Sequence, residues 1–534
     1  MTKRPVETAL KQRGRTKILI AGGGPVGLAL SIELGLRGID CILAERSDGI
    51  LRVPRMSSVS SRGMEFCRRW GIADIVRYAV WSRTHPCDFV YVSSMVGDEL
   101  ARLKVGSYAD REGKLDYSPE GAATCPQIFF DPILAEKAKS VPCVSLRYKT
   151  RLDSFEQDET GVQARLVDAD SGEEQVIEAD YLVGCDGAGG VVRRQLGVEL
   201  DGLGPIASSV NVFFRWPNFD QMHDKGWARF FRFFDDNGCW AEAVAIDGKE
   251  LWRLSVFDDP TPDLTGVSYL RKLAGCDFSF EIFDVSRWER RDFLARSYRQ
   301  GRALIAGDAA HEMSPTGGSG MHTGICESVN LAWKIAALYE GWGGPHLLDS
   351  YEAECRPIAR YYVDLSTTSF NAISSLPSAA AFPGAVAADS GLLRQLSTPD
   401  QYRAQFCYET SPICVPDGTK PPEGAARIAP SARPGTRAPH CWIGDGRSTL
   451  DLFGGGFMLA RFRSSGVTDR NIDPLVAAAA ERGVPLEIAN IDHSEAAAIY
   501  EKPLVLVRPD GHVAWRGDAL PDDAAALLDH VRGA

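Results

Sequence analysis

Lys17 to Glu45 reads KILIAGGGPVGLALSIELGLRGIDCILAE, and the fold follows from this stretch. Lys17–Ala21 is a short apolar strand. Gly22, Gly24 and Gly27 then form G-x-G-x-x-G at a strand-to-helix turn, with Pro25 and Val26 inside it. The first glycine permits the tight turn, the second the approach of backbone to a pyrophosphate, and the third close packing of helix on strand. The helix N-terminus behind them is an anion site, with N–H groups at a positive dipole end. Ile39–Ala44 is a second strand, and Glu45 closes it about 20 residues past the glycines, placed for ribose hydroxyls. Strand, helix and acid together predict a dinucleotide-binding βαβ unit.

Far downstream, Gly301 to Trp333 reads GRALIAGDAAHEMSPTGGSGMHTGICESVNLAW. Ala303–Ala306 is another buried strand, ended by Gly307-Asp308. Gly317, Gly318 and Gly320 then open a helix expected from about Thr323 to Tyr339. A dinucleotide touched only at its first turn does not need this second helix terminus; a flavin does. Asp308 is placed to bond a ribityl chain, and the N–H groups of Gly320, Met321 and His322 to face the pyrimidine edge of the ring. The helix dipole there favours the negative charge of a reduced flavin.

These segments resemble the single-component flavin-dependent aromatic hydroxylases of the para-hydroxybenzoate and phenol hydroxylase type, over roughly residues 15 to 400. The resemblance rests on GGGPVG with Glu45-Arg46, on YLVGCDGAGGVVRRQLG (Tyr181–Gly197), and on GDAAHEMSPTGGSGMHTG. It implies FAD as cofactor, with Arg55 near the pyrophosphate, Arg62 beginning a helix beside the cofactor, Gln127 against the flavin, and Asp186 in the Asp-Gly motif. It implies NADPH or NADH as a transient donor, with O2 and a small aromatic substrate. Reduced flavin then forms a hydroperoxide at C4a that attacks an electron-rich ring with water excluded. Three departures stand out. His322 and Glu327 replace the family's usual asparagine and aspartate, and Gly189-Gly190 replaces an arginine and a small hydroxyl residue. No base for the phenol is identifiable; His322, Tyr117, Arg215 and the Pro315 carbonyl are unranked catalytic candidates.

Composition narrows the partners. A net charge of −12 and an isoelectric point near 5.4 argue against nucleic acid and anionic membranes. No apolar run approaches a membrane span of about 20 residues. The basic start MTKRPVETALKQRGR lacks the apolar core of a signal peptide. Thirteen cysteines without a C-x-x-C pair read as reduced thiols of a cytoplasmic protein. No metal-ligand spacing occurs.

The expected fold class is α/β: a Rossmann-like FAD-binding domain, an antiparallel β-sheet substrate domain and a C-terminal thioredoxin-like domain. The FAD-binding domain is assembled from residues 15–85, 110–200 and 285–385. Residues 86–109 and 200–285 are β-rich, with strands at Ser208–Trp216, Ala228–Phe234, Cys239–Ile246 and Leu251–Phe257. Period-two alternation puts Asn211, Phe213 and Arg215 on one face and Val212, Phe214 and Trp216 on the other. Residues 386–435 form a linker rich in Ala, Ser and Pro. Residues 436–534 resemble the thioredoxin-like domain of some of these hydroxylases. Lacking C-x-x-C, that module is expected to serve structure or dimer contact, in a homodimer. A flavin oxidase or reductase of the same fold and a non-enzymatic flavin-binding regulatory protein are the alternatives. A halogenase is disfavoured, because no W-x-W-x-I-P segment is present.

Overall fold

The computed structural model describes residues 13–111, 115–396, 407–420, 430–462 and 469–534. Most of the basic N-terminal stretch and much of the linker, 397–406 and 421–429, lie outside the described residues. The opening stretch forms the centre of an eight-stranded sheet. Strand Arg13–Ala21 pairs in parallel with Cys41–Ala44 on one side and Glu174–Gly184 on the other. It starts before the apolar run because Arg13 to Thr16 bond along Val176–Ala179. The short Ala303–Ile305 and Val144–Arg147 extend the parallel layer at either side. Helix Pro25–Leu36 packs between this sheet and the helices Gln127–Lys139 and Gly320–Tyr339. It is apolar nearly all round and buried nearly all round, as a central crossover helix must be. Its one acid, Glu33, is buried and accepts from the Trp70 indole (2.6 Å) and from Arg69.

A second eight-stranded sheet lies beside the first. Its strands, in spatial order, are His311–Glu312, Glu281–Ala295, Leu200–Arg215, Leu251–Phe257, Gly238–Ala245, Phe230–Asp235, Phe89–Val92 and Glu99–Leu103. Neighbours are antiparallel except Phe230–Asp235 with Phe89–Val92, which run parallel. The expected strand at Ser208 begins at Leu200 instead. The Gly-Pro-containing LDGLGPIA segment does not break it, since bulges let it follow Glu281–Ala295 throughout. That partner strand runs through residue 285, where the sequence reading put a boundary. The sheet has two unlike faces. Val210, Val212, Phe214, Trp252, Leu254, Phe231 and Phe233 form an apolar core with the helix Val267–Ala274. The alternating face, with Ser209, Asn211 and Arg253, turns to the first sheet's loops.

The C-terminal unit is a four-stranded sheet ordered Leu486–Ile491, Phe457–Phe462, Leu504–Val507, Val513–Gly517, flanked by three helices. Sequence reading found the strand FMLARF, the hairpin around Pro509-Asp510-Gly511 and two helices. It missed Leu486–Ile491 and the helix Ser494–Tyr500, because LEIANI has neither strict alternation nor a β-branched run. No disulfide joins the described cysteines. No helix among the described residues is long and apolar enough to cross a membrane.

This unit is docked through buried charge. Glu354 accepts from Arg508 (2.5 and 3.0 Å), Lys334 (2.6 Å), Asn330 (2.7 Å) and Ser411 (2.5 Å). Arg508 also bonds Asp510 (2.6 Å), whose carboxylate accepts from the Trp333 indole (3.2 Å). The side chains of Arg508, Lys334 and Glu354 have no exposure. Burial alone raises the Glu354 carboxyl, but the adjacent Arg508 and Lys334 outweigh it and hold the group down at about 2. Arg508→Met leaves Asp510 and part of Glu354 uncompensated and is expected to cost about 3–5 kcal/mol. Thermal unfolding measures the loss, and an unchanged midpoint refutes the docking role.

Candidate functional site

The first glycine turn is shaped for close backbone approach. Gly22 has φ +106°, and a Cβ on Gly27 would lie 2.1 Å from the Gly22 carbonyl oxygen, so neither position tolerates a side chain. Gly24 faces open space. Glu45 accepts from the Gly23 N–H (2.7 Å) and the Ser47 N–H (2.7 Å), which fixes its carboxylate beside the turn. Pro25 starts the helix, and the Val26 carbonyl accepts from Ser328, tying this turn to the second glycine motif.

At that second motif the helix begins at Gly320, three residues before the expected Thr323, with no side-chain cap. Its first internal bond is Thr323 N–H to Ser319 carbonyl (2.9 Å), so the N–H groups of Gly320, Met321 and His322 precede the helical ladder. Asp308 is solvent-accessible although its neighbours on both sides, Gly307 and Ala309, are buried. Arg55 is exposed nearby, and its charge favours the ionised forms of Asp308 and Asp131. Gln127 donates to Asp131 (3.0 Å), whose carboxyl burial pushes up to about 7. Arg46 is exposed beside Glu45. The glycine turn, Glu45, Arg55, Asp308 and the helix start therefore lie close to one another, and this donor set fits the pyrophosphate, ribose and ring of FAD.

The departure at Glu327 has a structural reason. From two turns into the helix, its carboxylate accepts from the Gly307 N–H (2.8 Å) and meets His311 Nε2 at 3.1 and 3.2 Å. The longer side chain thus pins the Gly307-Asp308 corner. Burial lowers the His311 pKa, but Glu327 and Asp308 overcome this and raise it above 6.5. Asp186 accepts from the Val191 and Val192 N–H groups (2.6 and 3.1 Å), capping the following short helix. A Cβ at Gly190 would stand 2.1 Å from the Asp186 carboxylate, which accounts for glycine there.

Several candidates are placed elsewhere. Arg62 is buried and turned to the C-terminal unit, bonded to Glu65 (2.8 Å) and the Asp510 carbonyl (3.0 Å). Its side chain joins Glu65 and Arg437 in one buried cluster. Tyr117 belongs to that seam: its hydroxyl meets Ser61 (3.4 Å) and its carbonyl accepts from Arg437 (3.0 Å). Arg215 pairs with Glu281 and Glu250 and lies over Phe283. The Pro315 carbonyl accepts from the Gly318 N–H (2.9 Å), closing the loop's own turn. His322 is buried, and a Cβ on Gly63 would lie 3.7 Å from its Nδ1.

Sequence reading missed the groups that join the second sheet to this cleft. Arg253 donates to the carbonyls of Pro54 (3.1 Å) and Arg55 (2.8 Å). Arg290 donates to Ser209 (3.0 Å), Ser314 (3.1 Å) and Thr316 (3.2 Å), the last two flanking Pro315. The available signal was a lone charge inside an apolar strand, as in LWRLSVF.

The family model for an FAD binding domain matches residues 15–366, and that for an aromatic-ring hydroxylase C-terminal domain matches residues 431–534. A Streptomyces halstedii relative provisionally named a polyketide hydroxylase is 33% identical, covering 97% of this chain and 96% of its own length. The tetracenomycin B2 monooxygenase-dioxygenase of Streptomyces olivaceus is 30% identical, covering 96% and 97%. The solved structure of chromopyrrolic acid-soaked RebC with bound 7-carboxy-K252c superposes with TM-score 0.91 at 36% identity, covering 98% of this chain and 100% of that one.

Glu327→Gln is expected to weaken FAD retention about tenfold or more, because a charged acceptor at Gly307 and His311 is lost. A group with raised folded pKa stabilises below its unfolded value and loses that stabilisation as pH rises through the folded one. The stability gap between wild type and Glu327→Gln therefore narrows as pH rises from 6.5 upward, read by thermal unfolding across pH; a constant gap contradicts the pairing. With both glycine turns, the cleft and two family models in agreement, the chain belongs to the FAD-dependent aromatic-ring hydroxylases and is a flavoprotein monooxygenase.

Proposed function

We propose that this monooxygenase hydroxylates an extended aromatic substrate of polyketide type, using NADPH or NADH and O2. The observation that carries the reading is the two-faced second sheet. Its cleft side presents Asn211, Arg253 and Ser255 to the loops around Arg55 and Pro315, while its other side is sealed in apolar core. The names of the relatives point to the same substrate class.

Bound FAD supplies the redox chemistry that couples NAD(P)H oxidation to insertion of one oxygen atom of O2. Gly22, Gly24 and Gly27 hold its pyrophosphate, Glu45 its ribose, and Asp308 its ribityl chain. Arg55 screens the phosphates, and Gln127 closes the opposite wall. The N–H groups at Gly320 to His322 stabilise negative charge on the ring's pyrimidine edge. The loop Ser314–Gly320, with the second sheet, would keep water from the bound flavin. A cytoplasmic homodimer is the assembly we assign, with the C-terminal unit serving structure.

The test is oxygen-dependent NAD(P)H oxidation by FAD-loaded protein against a panel of phenols and fused-ring polyketide phenols, with peroxide quantified. Oxidation stimulated by a fused-ring phenol, with little peroxide and a product heavier by one oxygen, is the expected result. Coupled hydroxylation of simple phenols alone overturns the substrate class. Peroxide alone across the panel favours the oxidase reading.

A further inference from the structure

Three side chains of different donor type converge in the C-terminal unit. Cys441 stands in the loop before strand Phe457–Phe462, His493 caps helix Ser494–Tyr500, and Glu495 lies in that helix's first turn. Each offers one ligating atom, a sulfur, an imidazole nitrogen and a carboxylate oxygen, and these atoms lie within 4.8 Å of one another. Cys441 Sγ and His493 Nδ1 are 3.7 Å apart, from positions 52 residues apart in the chain. That separation is why no local spacing announces the group. Cys441 is buried, His493 half-buried and Glu495 exposed, so the group opens to solvent on its carboxylate side.

The two segments are fixed against each other. The Cys441 N–H donates to Thr449 Oγ1 (3.0 Å), and the Cys441 carbonyl accepts from the Thr449 N–H (2.9 Å). The Pro439 carbonyl accepts from Thr449 Oγ1 (2.7 Å) and from the Tyr500 hydroxyl (2.8 Å). Tyr500 ends the helix that His493 caps, so loop and helix are tied at a second point. Neighbouring His440 is engaged separately, its Nδ1 meeting the Ser448 hydroxyl at 2.7 Å.

Distance and chemistry both suit a cation. A tetrahedral zinc ion, with sulfur at about 2.3 Å and nitrogen at about 2.0–2.1 Å, sets those two atoms about 3.6 Å apart. The Cys441–His493 pair already has that separation. Glu495, on an exposed side chain, needs a swing of about 1 Å at most to complete a third edge of similar length. The His493 Nδ1 accepts from the Ala496 N–H at 3.4 Å, a long bond that a cation replaces. Burial, and then the charge of Glu495, push the Cys441 thiol up, so it is not the thiolate that redox or acyl-transfer chemistry needs. Glu495 itself forms no ion pair among the described residues. A bound cation reverses both conditions, since it deprotonates a coordinating thiol and answers the carboxylate.

We propose that Cys441, His493 and Glu495 bind one divalent cation of the zinc class, with water in the fourth position. Thiolate with imidazole selects such an ion over magnesium or calcium, which take oxygen donors. Binding forms the sulfur–metal bond, releases the thiol proton to solvent and moves no electron. The ion clips the loop around residues 439–449 to helix Ser494–Tyr500, in a unit that lacks disulfides among its described cysteines. This site lies outside the flavin chemistry and does not depend on the substrate reading.

The test uses the full-length, FAD-loaded protein, first stripped with a chelator. Zinc binding is counted after equilibrium dialysis, and cobalt(II) is followed by its visible d–d bands at wavelengths beyond the flavin absorbance. We expect one ion per chain at micromolar affinity or tighter, retained in excess magnesium and bound more tightly as pH rises. Cys441→Ser and Glu495→Gln each weaken binding by at least the roughly tenfold that loss of an outer-shell partner costs. Cys276→Ser, at a half-buried cysteine elsewhere in the chain, leaves binding unchanged. Where Cys441→Ser fails to fold, zinc protection of the Cys441 thiol from iodoacetamide, read by peptide mass spectrometry, decides together with Glu495→Gln. No bound ion at one equivalent, displacement by magnesium, an absence of thiol protection, or affinity that survives either ligand substitution overturns the proposal.

Discussion

The buried carboxylate of Glu354 is the constraint on which the architecture turns. An ionised acid with no exposure must be matched where it stands, and the match comes from two directions. Lys334 and Asn330 reach it from the helix that begins at the second glycine motif, and Arg508 reaches it from the C-terminal unit. That helix carries Glu327 seven residues before Lys334, which is two turns, or about 10 Å along the axis. Glu327 fixes the Gly307-Asp308 corner at the cleft. A single rigid element therefore has one end set by the cofactor cleft and its body set by the docking charges. Displacing the C-terminal unit leaves Glu354 with Lys334 as its one cation and Asn330 as a neutral donor, and the disturbance arrives two turns from the cleft.

A second seam supports the same arrangement. Glu65 accepts from Arg437 (3.0 Å) and Arg62 (2.8 Å), and Arg62 in turn holds the Asp510 carbonyl. Asp510 thus belongs to both clusters, through its backbone and its side chain. Replacing such networks by apolar groups is often neutral in other folds, but removing one member is not. Their arrangement favours a unique docking geometry, because only one placement of the hairpin at Pro509-Asp510-Gly511 satisfies every charge.

How much of this was legible in the sequence depends on the range of the interaction. The two glycine turns, the strands beside them and the acid at Glu45 are local patterns, and they fell where their spacing put them. The alternation in Ser208–Trp216 correctly separated two faces, but not which one met the cleft, since that depends on partners far away in the chain. The partners of Arg62 and Tyr117 were hidden for the same reason. Their sequence register suited a cofactor contact, while the deciding partners, Asp510 and Arg437, lie in the last hundred or so residues. Arg253 and Arg290 escaped notice because a single arginine in a strand is usually a solvated edge charge. Only the assembled sheet shows that they meet hydroxyls and carbonyls in place of acids.

The electrostatics of the cleft oppose those of the molecule. With a net charge of −12, the chain repels anions at a distance, yet one face of its second sheet sets Arg232, Arg253 and Arg290 about Glu242. Salt screens the distant repulsion beyond about 8 Å at physiological ionic strength, whereas charges enclosed by protein are screened far less. Long-range steering therefore contributes little to capture of a negatively charged ligand, and the local guanidinium groups decide retention. That division suits the chemistry of this family. Overall negative charge discourages polyanions from lingering on the surface. The same protein still sets the guanidinium groups of Arg253 and Arg290 beside neutral acceptors on its second sheet.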